Sequence, residues 1–70
     1  MAVTIVTYGL YGRVDAAFTG KKKAIAYVNS LQYVFEKIDN DAMSTWFKSM
    51  EDMNNPDAHD YYKVIKLDIE

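Results

Sequence analysis

Seventy residues bound this chain to one small domain, residues 1–70, and a core of this size rarely supplies more than roughly 3–5 kcal/mol alone. It has no cysteine, which excludes disulfides and thiolate metal sites, and its 50% hydrophobic content excludes a disordered chain. The net charge of −2 is uneven: residues 1–35 carry four cations against Asp15 alone, and residues 36–70 carry nine acids against four lysines, an acidic half that suits a basic partner and disfavours nucleic acid.

The first residues, Met1 to Tyr8, carry no basic group and too short an apolar run for a signal peptide, and no stretch nears the about 20 apolar residues of a membrane span. Val3 to Tyr8 is rich in β-branched residues and predicts a strand. Gly9-Leu10-Tyr11-Gly12-Arg13 reads as a turn. Val14 to Thr19 follows as a second strand, with Val14, Ala16 and Phe18 on one face, so the pair forms a β-hairpin.

Thr19 is the expected N-cap of a long helix from about Gly20 to Ile38. On a 100° wheel Ala24, Val28, Leu31, Phe35 and Ile38 share one narrow face, flanked by Ile25, Tyr27 and Val34. Asp39-Asn40-Asp41 interrupts it, and Asn40 or Asp41 caps a second helix on which Ala42, Met43, Trp46, Met50 and Met53 cluster. Asn54-Asn55-Pro56-Asp57 stops that helix, and Tyr61 to Ile69 forms the last strand, with Ile65, Leu67 and Ile69 opposite Lys66 and Asp68. The expected fold is α+β: a three-stranded antiparallel sheet in ββααβ order, the first strand central, with both helices packed on one face. Phe18, Leu31, Phe35 and Ile65 share its core.

These segments resemble a recurrent type of short uncharacterised phage and bacterial accessory protein with a strand–turn–strand–helix–strand layout. The resemblance is carried by Thr4 to Tyr8, Val14 to Thr19, Lys21 with Ala24, and Tyr62 to Leu67. The three successive lysines and the Trp/Met segment depart from it. It implies a mobile-element protein in the cytoplasm, the host's if phage-encoded, and it assigns no site residues.

No catalytic constellation stands out. His59 lies between Asp57 and Asp60 in a loop, where solvation is the simplest role, and Asp39-Asn40-Asp41 lacks the glycine and terminal glutamate of a calcium loop. The chain is therefore expected to be non-enzymatic, with no metal or cofactor. Tyr33 falls opposite Ala24 on the wheel, beside Lys37, and so points to solvent as a partner-binding aromatic. Glu51, Asp52, Asp57 and Asp60 add an acidic patch. The expected function is a small protein-binding module, an inhibitor or host-interaction protein that occludes a larger partner. Two alternatives stand beside it. One is a homodimer joined through the hairpin strand or the C-terminal strand. The other is an anion- or nucleic-acid-binding module using Lys21, Lys22 and Lys23 at a helix start.

Overall fold

The computed structural model describes residues 2–68 and has five strands and two short helices. They run β1 (Ala2–Tyr8), β2 (Arg13–Phe18), α1 (Lys21–Ser30), β3 (Phe35–Asn40), β4 (Met43–Phe47), α2 (Met50–Met53) and β5 (Tyr61–Asp68). All strands join one antiparallel sheet in the order β2-β1-β5-β4-β3. The three-stranded sheet with two packed helices is thereby corrected: residues 35–38 and 42–47, expected to be helical on either side of the Asp39-Asn40-Asp41 junction, belong to a second hairpin. β1 does lie between β2 and β5, but β5 is the central strand and offers no edge. Ile69, placed in the last strand, falls outside the described residues.

The hairpin β1–β2 turns through Gly9 and Gly12, both at positive φ (75° and 67°), a region that a Cβ disfavours. Gly20 in extended conformation, not Thr19, precedes α1, and no side chain caps its first amides. The helix ends eight residues before Ile38 for a local reason. Gln32 sits at φ 77°. The Gln32 N–H donates to the Asn29 carbonyl, and the Tyr33 N–H donates to the Val28 carbonyl, at 3.0 and 3.1 Å. These are the paired bonds of a Schellman stop, completed by the apolar meeting of Val28 and Tyr33 in the core. Glycine usually takes the left-handed position, so its absence hides the stop in the sequence.

The acidic junction then works as a strand turn. The Asn40 side-chain carbonyl accepts from the Ala42 N–H at 2.8 Å, closing the hairpin between β3 and β4. α2 is a single turn capped by Ser49, whose hydroxyl accepts from the Asp52 N–H at 3.1 Å. Neither Asn40 nor Asp41 caps it.

Cross-strand register assigns the two faces. Val6 lies opposite Val64, which lies opposite Ser44, and Trp46 lies opposite Tyr62. This face carries α1 and the core of Val6, Ala24, Val28, Tyr33, Trp46 and Val64, with Phe18 and Tyr62 packed against it. Trp46 is a core residue on a strand, and its indole N–H donates to the Ser44 hydroxyl at 3.1 Å. One residue along each strand lies the other face. It holds Phe35 opposite Phe47 and Ile65 opposite Ile5, so neither Phe35 nor Ile65 shares a core with Phe18. Leu31 is exposed at the helix end. A bulge at Asp15 also turns Val14 away from Ala16 and Phe18, setting it opposite Thr7.

Both edge strands carry such a bulge. Asp15 of β2 and Asp39 of β3 are each an extra residue without a register partner. A bulge and a charge are the usual protection of an edge against pairing with another chain.

Candidate functional site

Two arrangements gather the chemistry of this molecule. The first lies on the α1 face, at the end of the sheet. Tyr62 is its hub, with ring centroids of Tyr8 and Tyr33 at 4.8 and 4.7 Å and that of Tyr27 at 6.5 Å. The Tyr8 hydroxyl donates to Asp60 at 2.8 Å, and the Tyr33 hydroxyl donates to the same carboxylate oxygen. Lys48 lies 5.1 Å above the Tyr33 ring. The Tyr27 hydroxyl donates to Asp15 at 2.9 Å, which aims the bulged residue of β2 back at the helix.

Asp60 and the tyrosines around it are shifted in opposite directions, the carboxyl down and the phenols up. Tyr33's hydrogen bond, with that of Tyr8 and the charge of Lys48, holds Asp60 below the usual carboxylate range, against the opposing effect of burial. Burial first, and then Asp60, pushes the Tyr33 phenol far up. A carboxylate oxygen that accepts from two phenols, and a Tyr33 phenol that keeps its proton, form a clasp between the β5 approach, the helix exit and β1.

The clasp predicts an acid sensitivity. Asp60 has a folded pKa below its unfolded value of about 3.9. Its stabilising contribution is therefore complete above that value and disappears as pH falls through the folded pKa. Asp60→Asn should lower the thermal midpoint at pH 7 and flatten its decline below about pH 4, where the unfolded carboxyl protonates before the folded one. Midpoint curves for the two proteins that run parallel over this range would show that Asp60 contributes nothing to it.

The second arrangement is the face without α1. Met43, Ile65, Ile5 and Ala17 lie directly opposite one another in a row across β4, β5, β1 and β2. Leu67 opposite Val3 begins a second row on that face. Leu67 is 42% exposed and Val14 60%, while Val3, Ile5, Met43 and Ile65 are half-buried. On the other side of the Ile65 row runs a polar one, in which Lys37, Thr45, Lys63 and Thr7 lie opposite one another. The Lys63 ammonium donates to the Thr45 hydroxyl at 2.9 Å and pairs with Asp39 at 3.5 Å. Beyond it, α2 packs on β3 and β4, and Met53 with the 54–58 loop walls a groove of about 420 Å³ beside Lys37 and Lys63.

The expected site residues disperse over these arrangements. Tyr33 is 6% exposed and belongs to the core, which corrects its placement on a solvent face. The helix that would have turned it outward ends at its C-cap, Leu31. Asp60 joins it in the clasp. Lys37 is exposed on the uncovered sheet face, in β3 and not on a helix. Glu51 and Asp57 are exposed and Asp52 half-buried, on α2 and the loop after it. Lys21, Lys22 and Lys23 are exposed in the first turn of α1, on the far side of the sheet from the apolar rows. Of the six tyrosines only Tyr11 is exposed; it borders a cleft of about 590 Å³ with Tyr8, Arg13 and His59. Among the described residues no helix is long and apolar enough to cross a membrane, and no three His, Cys, Asp or Glu residues are grouped to hold a metal.

Val3, Ile5, Met43, Ile65 and Leu67 were not singled out as a surface by the sequence. Their signal is present nonetheless. An antiparallel sheet with one wet face alternates apolar and polar residues. Ile5 and Val6 in β1, and Val64 and Ile65 in β5, put apolar residues on both faces of the sheet, and only one face can meet α1. Comparisons with protein-family models, curated proteins and solved structures return no match for this chain.

Proposed function

We propose that the protein is a non-enzymatic protein-binding module, an inhibitor or host-interaction protein that covers a surface of a larger, different protein with its uncovered sheet face. One observation carries this: two cross-strand apolar rows lie on the sheet face opposite α1, and among the described residues no helix covers them. Contiguous apolar surface with a polar border is the mark of an interaction site. Occlusion of a larger partner needs a rigid platform rather than a pocket, and a five-stranded sheet backed by a helix provides one.

A second copy is the weaker occupant. The bulges at Asp15 and Asp39 oppose sheet extension through either edge. Face-to-face pairing would set Lys37 against a surface whose one strand carboxylate among the described residues, Asp39, is already held by Lys63 and Thr45.

The test is site-specific photo-cross-linking of the full chain in cells that carry its gene. A photoreactive residue at Leu67 should yield an adduct with a different, larger protein, and the same residue at Ala26, exposed on the outer side of α1, should not. A self-adduct alone at position 67 would support the homodimer instead. Adducts from position 26 only, or none, would reject the sheet face.

A further inference from the structure

Resting on that protein-binding reading, we infer that the element received by the sheet face is an amphipathic helix with acidic residues along one flank, laid across β4, β5 and β1. Three features of the face specify it: its backbone chemistry, its dimensions and its charge.

Backbone chemistry selects a helix. The strands under the rows spend their N–H and C=O groups on one another, so the face presents side chains alone. A partner strand lying flat on it would bury its own backbone groups against isoleucine and methionine without partners, which costs free energy for each one. A strand added at an edge would avoid that cost, but both edges are bulged and charged. A helix satisfies its backbone internally and needs only an apolar stripe.

The dimensions agree. The row Met43–Ile65–Ile5–Ala17 crosses four strands, about 14 Å at the spacing of neighbouring strands. That is about ten residues of helix at 1.5 Å each. The Leu67–Val3 row lies two residues further along the strands, about 7 Å away, within the about 10 Å width of a helix. α1 already packs on β1, β2 and β5 from the other side, so a partner helix would complete a third layer.

Charge sets the flank. Lys37 is exposed in the row beside Ile65, and among the described residues no carboxylate pairs with it. Lys63 lies two strands away in the same row, about 10 Å, near the rise of two helical turns. The one strand carboxylate on the face, Asp39, is engaged by Lys63 and Thr45, which leaves the lysine row net positive in a chain of net charge −2. A glutamate on the flank of the helix meets Lys37, and a lysine there is repelled.

Designed peptides test this on the full chain. Three 14-residue capped peptides share one leucine stripe: one has glutamates on a flank, one has lysines in their place, and one is the acidic peptide with two central prolines. Amide shifts of the protein are followed by NMR. The acidic helix should shift Ile5, Met43 and Ile65 and bind at least tenfold tighter than the other two. In Lys37→Glu the order of the acidic and basic peptides should reverse. Equal or tighter binding of the basic peptide overturns the charge assignment, and equal binding of the proline peptide overturns the helix. Shifts confined to α1, or no shifts with any peptide at millimolar concentration, overturn the inference entirely. The cross-link at Leu67 separates the two levels. A heterologous adduct combined with any of these results leaves the protein-binding function standing without its acidic helix, and no adduct removes both.

Discussion

Tyr33→Ala should come close to unfolding the protein, at a cost of about 3–5 kcal/mol, the range for truncating a buried aromatic. Native stability for 70 residues is about 3.5–10 kcal/mol, so the loss would consume much of it. The reason lies in what one ring does at once. It packs edge-on to Tyr62 with centroids 4.7 Å apart, joins Val28 in closing the helix stop, and lies beneath Lys48. Its hydroxyl also donates to Asp60. Tyr33→Phe separates these contributions. The ring remains, Asp60 still accepts from Tyr8, and only one hydrogen bond to a charged acceptor is lost, about 1.5–3 kcal/mol. Urea unfolding of both variants measures the difference. An alanine variant within about 0.5 kcal/mol of wild type would put Tyr33 back on a solvent-facing helix and remove the clasp from the account.

That residue also shows why the sequence led partly astray. Ala24, Val28, Leu31, Phe35 and Ile38 recur at helical spacing, and Glu36 and Lys37 are good helix formers. The first two are indeed the buried face of α1. The stop that separates them from the rest uses Gln32 at positive φ, where neither a glycine nor a proline announces it. Past that stop the same spacing is a coincidence, and Phe35 and Ile38 take opposite faces of β3. Thr45-Trp46-Phe47 carries the β-forming residue types, but the Met43, Trp46, Met50, Met53 spacing fits a helix equally well. The first hairpin and β5 were legible because their strands are β-branched and their turn holds two glycines.

The proposed partner surface was hidden for a different reason. In β5 the residues Ile65 and Leu67 form the more apolar alternate set, and pattern alone assigns such a set to the core. The helix instead covers the set containing Tyr62 and Val64. Alternation reveals that a strand has two different faces; it does not say which one α1 will cover. Only the register of all five strands shows that the apolar rows and α1 lie on opposite sides.

The decisive measurement is therefore made on that uncovered face. Leu67→Asp places a charge where the side chain is 42% exposed, so folding should change by less than about 0.5 kcal/mol, as at other surface positions. In a partner interface the same charge would be buried against an apolar stripe. Affinity for the partner captured by cross-linking should fall at least about 30-fold, equivalent to about 2 kcal/mol at a hot spot. Ala26→Asp, on the exposed side of α1, is the matched control and should bind as wild type does. Both affinities are read by titration calorimetry beside their unfolding midpoints. A 30-fold loss in Leu67→Asp alone, at an unchanged midpoint, is the result predicted. Wild-type affinity in Leu67→Asp, or an equal loss in Ala26→Asp, would contradict the assignment of function to this face.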